Sequence, residues 1–276
     1  MIDRTELIEV VTRQVLATLA GQPVDQGLEN APQVVANGAA RLGYCGAGAD
    51  VPTDLAEYID HTLLRPDASP ADIDKLCDEA VEYSFAAVCI NPTWVARAKR
   101  RMRGAKITVA SVVGFPLGAN TPEIKAMEAR RALRDGAREI DMVINIGALK
   151  GGEHGLVQRD IAGVSDACRE VGALNKVIIE TAYLTDEEKV IACRLAVGGR
   201  AHYVKTSTGF GPGGATVFDV ALMREVVGAK VGVKAAGGIH TAAEVREMIT
   251  AGATRIGASA GIRIVSGEEG ESGGSY

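Results

Sequence analysis

Glu139-Ile140-Asp141-Met142-Val143-Ile144-Asn145 follows a helical run that opens at Pro122 and closes near Asp135. Ile140, Met142 and Ile144 share one parity, expected to face helices, so Asp141, Val143 and Asn145 point the other way. A proline in the first turn suits a helix start, because the N–H it lacks has no partner there anyway. The unit is thus a helix feeding a strand, and the same alternation repeats on both sides of it. Strands are predicted near Tyr58–His61, Phe85–Asn91, Ile107–Gly114, Lys176–Thr181, Tyr203–Thr208, Val231–Ala236 and Arg255–Ser259, with Pro70–Tyr83 as another proline-opened helix. Together with 139–145 that makes eight β/α units, which predicts a (β/α)8, or TIM, barrel. A doubly wound open sheet is the alternative fold, but it usually carries fewer strands and a glycine fingerprint near its start.

Outside this region the texture changes. Leu7, Val11, Val15 and Leu19 fall at four-residue steps with polar residues between them, so 1–20 is predicted to carry an amphipathic helix. Residues 21–53 mix Gly, Ala, Gln, Asn and Pro without period and are expected to form a flexible linker. The barrel is expected over 54–263, and the Gly, Ser and Glu of 264–276 are expected to form a mobile tail. The 276-residue length suits one large α/β domain with appendages, and 47% apolar with 24% charged residues is globular composition. A net charge of −5 argues against a nucleic-acid partner. The basic run Lys99-Arg100-Arg101-Met102-Arg103 reads as a solvated helix end. Five cysteines without C-x-x-C spacing indicate reduced thiols in a cytoplasmic setting rather than disulfides or zinc. No apolar run is long enough to span a membrane, and Met1–Glu6 lacks a secretory pattern.

The chemistry concentrates at predicted strand ends, where barrels place their active sites. Asp141 lies between apolar neighbours, which is expected to raise its pKa into a useful acid–base range. Lys205 and Lys234 point inward from adjacent strands, so two ammonium groups would converge, each lowering the pKa of the other. A lysine depressed in this way attacks carbonyls and forms a Schiff base. A single lysine in a strand is more often an edge or surface residue; two, with an inward aspartate, favour a site. Gly237-Gly238-Ile239-His240-Thr241 and Gly257-Ala258-Ser259-Ala260-Gly261 follow the seventh and eighth strands, where barrels commonly bind phosphate through backbone N–H groups. The alternative is that these glycines only make tight turns. Gly209-Phe210-Gly211-Pro212-Gly213-Gly214 matches G-x-G-x-x-G formally, but proline interrupts it and it lies at the sixth strand, so a glycine loop is expected and not a nucleotide cradle. The four histidines are scattered, and neither a metal nor another cofactor is expected.

Several segments resemble the deoxyribose-phosphate aldolases, class I enzymes that cleave 2-deoxy-D-ribose 5-phosphate. They are Ile59-Asp60-His61-Thr62-Leu63-Leu64, Val88-Cys89-Ile90-Asn91-Pro92, Glu139–Asn145, Tyr203-Val204-Lys205-Thr206-Ser207-Thr208-Gly209-Phe210 and Val233-Lys234-Ala235-Ala236-Gly237-Gly238-Ile239. The resemblance runs from about Leu55 to Ile264. It implies Lys205 as the Schiff-base lysine, Lys234 as the partner that perturbs it and Asp141 as the proton-transfer carboxylate. It further implies Asp60 and Thr62 in a polar network around Lys234 and the substrate hydroxyls, and Gly209, Gly237, Gly238 and Ser259 around the phosphate. Tyr276 would fold over the site and assist proton exchange. Phe210 and Ala260 stand where some members carry lysine and serine, which implies weaker phosphate binding. A homo-oligomer, with a dimer favoured, is the expected assembly.

The N-terminal segment resembles the encapsulation peptides that tether enzymes to shell proteins of bacterial microcompartments. Enclosure would suit an enzyme that releases volatile, reactive acetaldehyde. Docking of the helix on its own barrel, or on an oligomer, is the alternative. The polar face mixes Asp3, Arg4, Glu6, Glu9 and Arg13, which does not suit a membrane surface. Two further functional classes stay open on sequence alone: a sugar-phosphate isomerase without a covalent intermediate, and an inactive phosphate-sugar-binding barrel that acts as a scaffold.

Overall fold

The computed structural model describes Val51 and residues 54–267. The predicted helix of 1–20, the rest of the 21–53 linker, Cys45 and the residues from 268 on, Tyr276 included, lie outside the described residues. The strands are β1 (Ile59–Leu63), β2 (Ala87–Ile90), β3 (Thr108–Val113), β4 (Glu139–Val143), β5 (Leu174–Ile178), β6 (Tyr203–Lys205), β7 (Gly232–Ala236) and β8 (Arg255–Ala258). The helices are α1 (Pro70–Glu82), α2 (Val95–Arg101), α3 (Pro122–Asp135), α4 (Ile146–Lys150), α5 (His154–Arg169), α6 (Asp186–Gly198), α7 (Val217–Val227), α8 (Ala242–Thr250) and α9 (Gly261–Ser266). Each strand pairs in parallel with the next, and β8 closes on β1 with Ile256 opposite Ile59. The predicted (β/α)8 barrel is the fold.

Local chemistry starts several helices. The Ser69 hydroxyl accepts the Asp72 N–H while the Asp72 carboxylate accepts the Ser69 N–H, and Thr185–Glu188 and Thr241–Glu244 repeat this reciprocal cap. Such a cap is worth about 1 kcal/mol. Lys99, Arg100 and Arg101 occupy the last turn of α2, where cations oppose the negative end of the helix dipole.

The sheet separates two apolar clusters. Ile140, Met142 and Ile144 join the outer one, packed among helix residues such as Val157, Ile161 and Leu133. The inner one is small: Ala87, Cys89, Ala110 and Val112 of β2 and β3, with Leu64 just past β1. Beside it the interior holds a cluster of charged side chains. Small residues make room there for long side chains: a Cβ on Gly232 would sit 2.2 Å from the Tyr203 ring, and one on Gly257 would sit 3.0 Å from Lys234 Cε.

Several strand limits differ from the expected ones. β1 starts at Ile59, because Tyr58 belongs to a 3-10 turn, Ala56–Tyr58. β6 stops at Lys205 instead of Thr208, because beyond it the Thr206 hydroxyl takes the place of backbone, donating to the Ala236 carbonyl and accepting the Ala236 N–H, both at 3.0 Å. β5 ends at Ile178, two residues before Glu180 turns left-handed at φ 56°. At the C-terminal end α9 continues to Ser266, into residues expected to belong to the tail.

Candidate active site

Register brings the two sequence-predicted lysines together. Lys205, last residue of β6, lies opposite Lys234 in β7. Between their ammonium groups stands one oxygen of Asp141: Oδ2 accepts from Lys205 Nζ at 2.9 Å and from Lys234 Nζ at 2.8 Å. The other oxygen, Oδ1, accepts from a third lysine, Lys176, at 2.7 Å. Lys176 is the register partner of Asp141 across β4 and β5.

The network continues towards the β1–β8 seam. Asp60 Oδ2 lies 2.5 Å from Lys234 Nζ, and Asp60 Oδ1 accepts from Arg255 at 2.7 Å. Glu139 Oε2 lies 2.5 Å from Lys176 Nζ and 3.4 Å from Arg255. Four cations (Lys176, Lys205, Lys234, Arg255) therefore share three carboxylates (Asp60, Glu139, Asp141) inside the barrel. Lys205 has one carboxylate partner, Lys234 has two and Lys176 has three. Lys205 is also the lysine that solvent reaches, its side chain 3% exposed against 0% for the other two.

These contacts reverse two expectations about ionisation. Burial raises the Asp141 pKa, as expected, but the charges of Lys176, Lys205 and Lys234 together outweigh it and hold the carboxyl well below its usual value. Burial likewise depresses Lys234, but Asp141 and Asp60 overcome it and the ammonium is held above its ordinary pKa. Asp141 is thus a firmly ionised carboxylate and Lys234 a firmly protonated ammonium, not a raised acid and a depressed base. Asp60 follows Asp141: burial opposes ionisation, while Lys234, Arg255 and Lys176 lower its pKa.

The remaining predicted residues sit higher in the mouth. The Thr62 hydroxyl donates to the Asp60 carbonyl at 2.7 Å, which ties it to the residue that holds Lys234. It lines a cavity of about 560 Å³ together with His61, Arg65, His240 and Ser259. Gly209, Gly237 and Gly238 all have left-handed φ, at 87°, 91° and 73°. The β6 and β7 loops touch closely: a Cβ on Gly214 would sit 2.3 Å from the Gly237 carbonyl oxygen. Gly238 and Ser259 are exposed, and Phe210 stacks edge-on against Phe115 at 5.4 Å. Cys89 is buried 4.0 Å from Asp141 Oδ2, with a thiol pKa raised by burial and by that carboxylate. Among the described residues, no group of His, Cys, Asp and Glu is arranged to hold a metal ion.

Residues 54–269 match the model of the DeoC/LacD family of aldolases. The chain belongs to that family. A deoxyribose-phosphate aldolase of Enterococcus faecalis is 59% identical over 218 residues, which cover 79% of this chain and 99% of the relative. One of Thermococcus gammatolerans is 60% identical over 216 residues, covering 78% and 96%. Among solved structures, a tetrameric deoxyribose phosphate aldolase from Aeropyrum pernix superposes with a TM-score of 0.74 at 30% identity, over 86% of this chain and 97% of that one. This aldolase is accordingly a lyase of carbon–carbon bonds.

Three residues of the constellation escaped the sequence reading: Lys176, Glu139 and Arg255. Lys176 was within reach, because the period-two argument that turned Lys205 and Lys234 inward also applies to a lysine at the start of a predicted strand. Glu139 has the same parity as Asp141 and was open to the same argument.

Proposed function

We propose that this aldolase cleaves 2-deoxy-D-ribose 5-phosphate reversibly to acetaldehyde and D-glyceraldehyde 3-phosphate through a Schiff base on Lys205. The carrying observation is the single Asp141 oxygen shared by Lys205 and Lys234. The neutral Lys205 amine adds to C1 of the open-chain sugar, and loss of water gives an iminium. The C2–C3 bond then breaks, its electron pair moving into the iminium while the C3 hydroxyl proton leaves through water. Glyceraldehyde 3-phosphate departs, the enamine takes a proton at C2, and hydrolysis frees acetaldehyde and Lys205. Asp141, ionised, receives protons beside the reacting nitrogen, and Lys234, protonated, returns them. Asp60 holds Lys234 in place. Gly209, Gly237, Gly238 and Ser259 hold the phosphate, on loops where barrels offer backbone N–H groups.

Borohydride reduction in the presence of acetaldehyde, followed by intact-mass analysis, tests the covalent step. The wild-type chain should gain one ethyl group and Lys205→Ala none, with cleavage abolished in the variant. An adduct that survives in Lys205→Ala would move the nucleophile to another lysine. No adduct on the wild type would refute the Schiff base.

Tyr276 is assigned to proton exchange at the enamine carbon, on the resemblance alone. The homo-oligomer reading is supported by the tetrameric Aeropyrum relative. The microcompartment reading of residues 1–20 is supported by the four-residue aliphatic spacing and by the aldolase match starting only at residue 54. For the cytoplasmic setting, support comes from the free thiols of Cys77, Cys89, Cys168 and Cys193. No helix among the described residues is long and apolar enough to cross a membrane.

A further inference from the structure

Glu180 stands out among the groups that the reaction above does not use. It is 2% exposed and follows β5 with φ 56° and ψ 67°. That conformation is uncommon for a residue with a side chain and persists only where the surroundings enforce it. The enforcement is visible. The Thr181 N–H donates to the Thr206 carbonyl at 3.0 Å, tying the turn to the end of β6. The Glu180 carboxylate then accepts both donors of Thr208, the backbone N–H at 3.1 Å and the hydroxyl in a very short bond. The Thr208 hydroxyl oxygen in turn accepts the Phe210 N–H at 3.0 Å.

The β6 loop therefore winds around one buried carboxylate. Gly211 passes directly over it, and a Cβ there would lie 3.2 Å from Glu180 Oε1. With the Thr208 and Phe210 amides occupied, the Gly209 amide between them has no partner among the described residues, and its φ of 87° is one that only this winding requires.

We propose that Glu180 is a positioning residue that shapes the Thr208–Gly211 loop so that its backbone captures the substrate phosphate. The proposal rests on the reading that Gly209 meets the phosphate. Lys205 does not depend on the same contacts. It is held by the ladder bonds from Ile179 N–H to the Lys205 carbonyl and from Thr206 N–H to the Lys234 carbonyl, at 3.0 and 3.1 Å. Loss of the Glu180 carboxylate should therefore weaken recognition of the phosphate while sparing the lysine chemistry.

The test compares 2-deoxyribose 5-phosphate with unphosphorylated 2-deoxyribose in the wild type, Glu180→Gly and Glu180→Gln. Glycine adopts the left-handed backbone without strain, so that variant removes the carboxylate while easing the turn. In Glu180→Gly, KM for the phosphorylated sugar should rise at least about tenfold, the scale of a lost charge-assisted hydrogen bond. The kcat/KM for 2-deoxyribose should stay within about twofold, since that sugar carries no phosphate for the loop to hold. Glu180→Gln keeps one acceptor oxygen and should show a smaller rise in the same KM. An unchanged KM for the phosphorylated sugar in both variants, or parallel losses on both sugars, would overturn the proposal. Borohydride trapping with acetaldehyde separates it from the covalent reading. A wild type without adduct would refute the Lys205 assignment, whereas adducts on all three proteins with an unmoved KM would refute the role of Glu180 alone.

Discussion

Lys176 joins three buried carboxylates, bonding Asp141 at 2.7 Å and Glu139 at 2.5 Å and lying 3.5 Å from Asp60. Removing it leaves those carboxylates under-neutralised in a site that water does not reach, at a cost of about 3–5 kcal/mol. Lys176→Met should lose that much stability at neutral pH. The sign of its pH dependence follows from the depressed pKa values of Asp141 and Asp60. A carboxyl whose folded pKa is depressed contributes stability above its usual value of 3.8, and that contribution disappears as pH falls below it. Without Lys176 the depression is smaller, so the variant has less to lose. The difference in Tm between wild type and Lys176→Met should therefore narrow from about pH 7 to about pH 2.5, and a constant difference would refute the coupling. The same residues show why the ionisation of Asp141 was misread from the sequence. Its sequence neighbours are apolar, but its three ammonium partners stand 35, 64 and 93 residues away. Parity indicated which side chains point inward; only barrel closure indicates which of them meet.

Between elements, the most demanding contact lies outside the barrel. Lys125 of α3 and Asp160 of α5 are buried at 0% and 1% exposure with Nζ 2.5 Å from Oδ2, and Lys125 also donates to the Val143 carbonyl at the end of β4, 2.8 Å away. Burial is the leading influence on both, lowering the lysine pKa and raising that of the aspartate. A pair that must resist neutralisation contributes little net stability but is costly to break. Lys125→Met alone should destabilise by about 3–5 kcal/mol, and Lys125→Met with Asp160→Leu should recover most of that loss. Urea midpoints at constant m-value measure both, and additive losses would show that the pair was not the cause. The sequence disclosed the elements better than their ends. The existence and order of all eight strands follow from the alternation of β-branched runs with proline-opened helices. The end of β6 depends on a side-chain bond from Thr206 to another strand, and the turn after β5 on a left-handed glutamate, and neither has a local signature.

At the scale of the whole chain, the aldolase match covers 54–269, and the segment before it has a proposed role that is separable from cleavage. A variant lacking residues 1–53 should keep kcat/KM within about twofold, because every residue of the charged cluster lies inside the match. Residues 1–22 fused to a fluorescent protein should form puncta in cells assembling shells, and should lose them when Leu7, Val11 and Val15 become glutamate. Diffuse fluorescence from the native fusion would remove the targeting role. At the other end, deletion of Tyr276 should slow deuterium exchange at C2 of acetaldehyde more than it raises KM, and equal exchange rates would make the tyrosine a bystander. Within the barrel, the interior is divided by sector. Ala87, Ala110 and Val112 line the side built by β2 and β3, while the charged side chains come from β4 to β8 and from Asp60. A library that repacks the interior in search of new substrates can therefore draw its diversity from those three positions without deleting a charged group. Substitutions on the other side must be made in compensating sets, so laboratory evolution of a new substrate range should enter through the second and third strands.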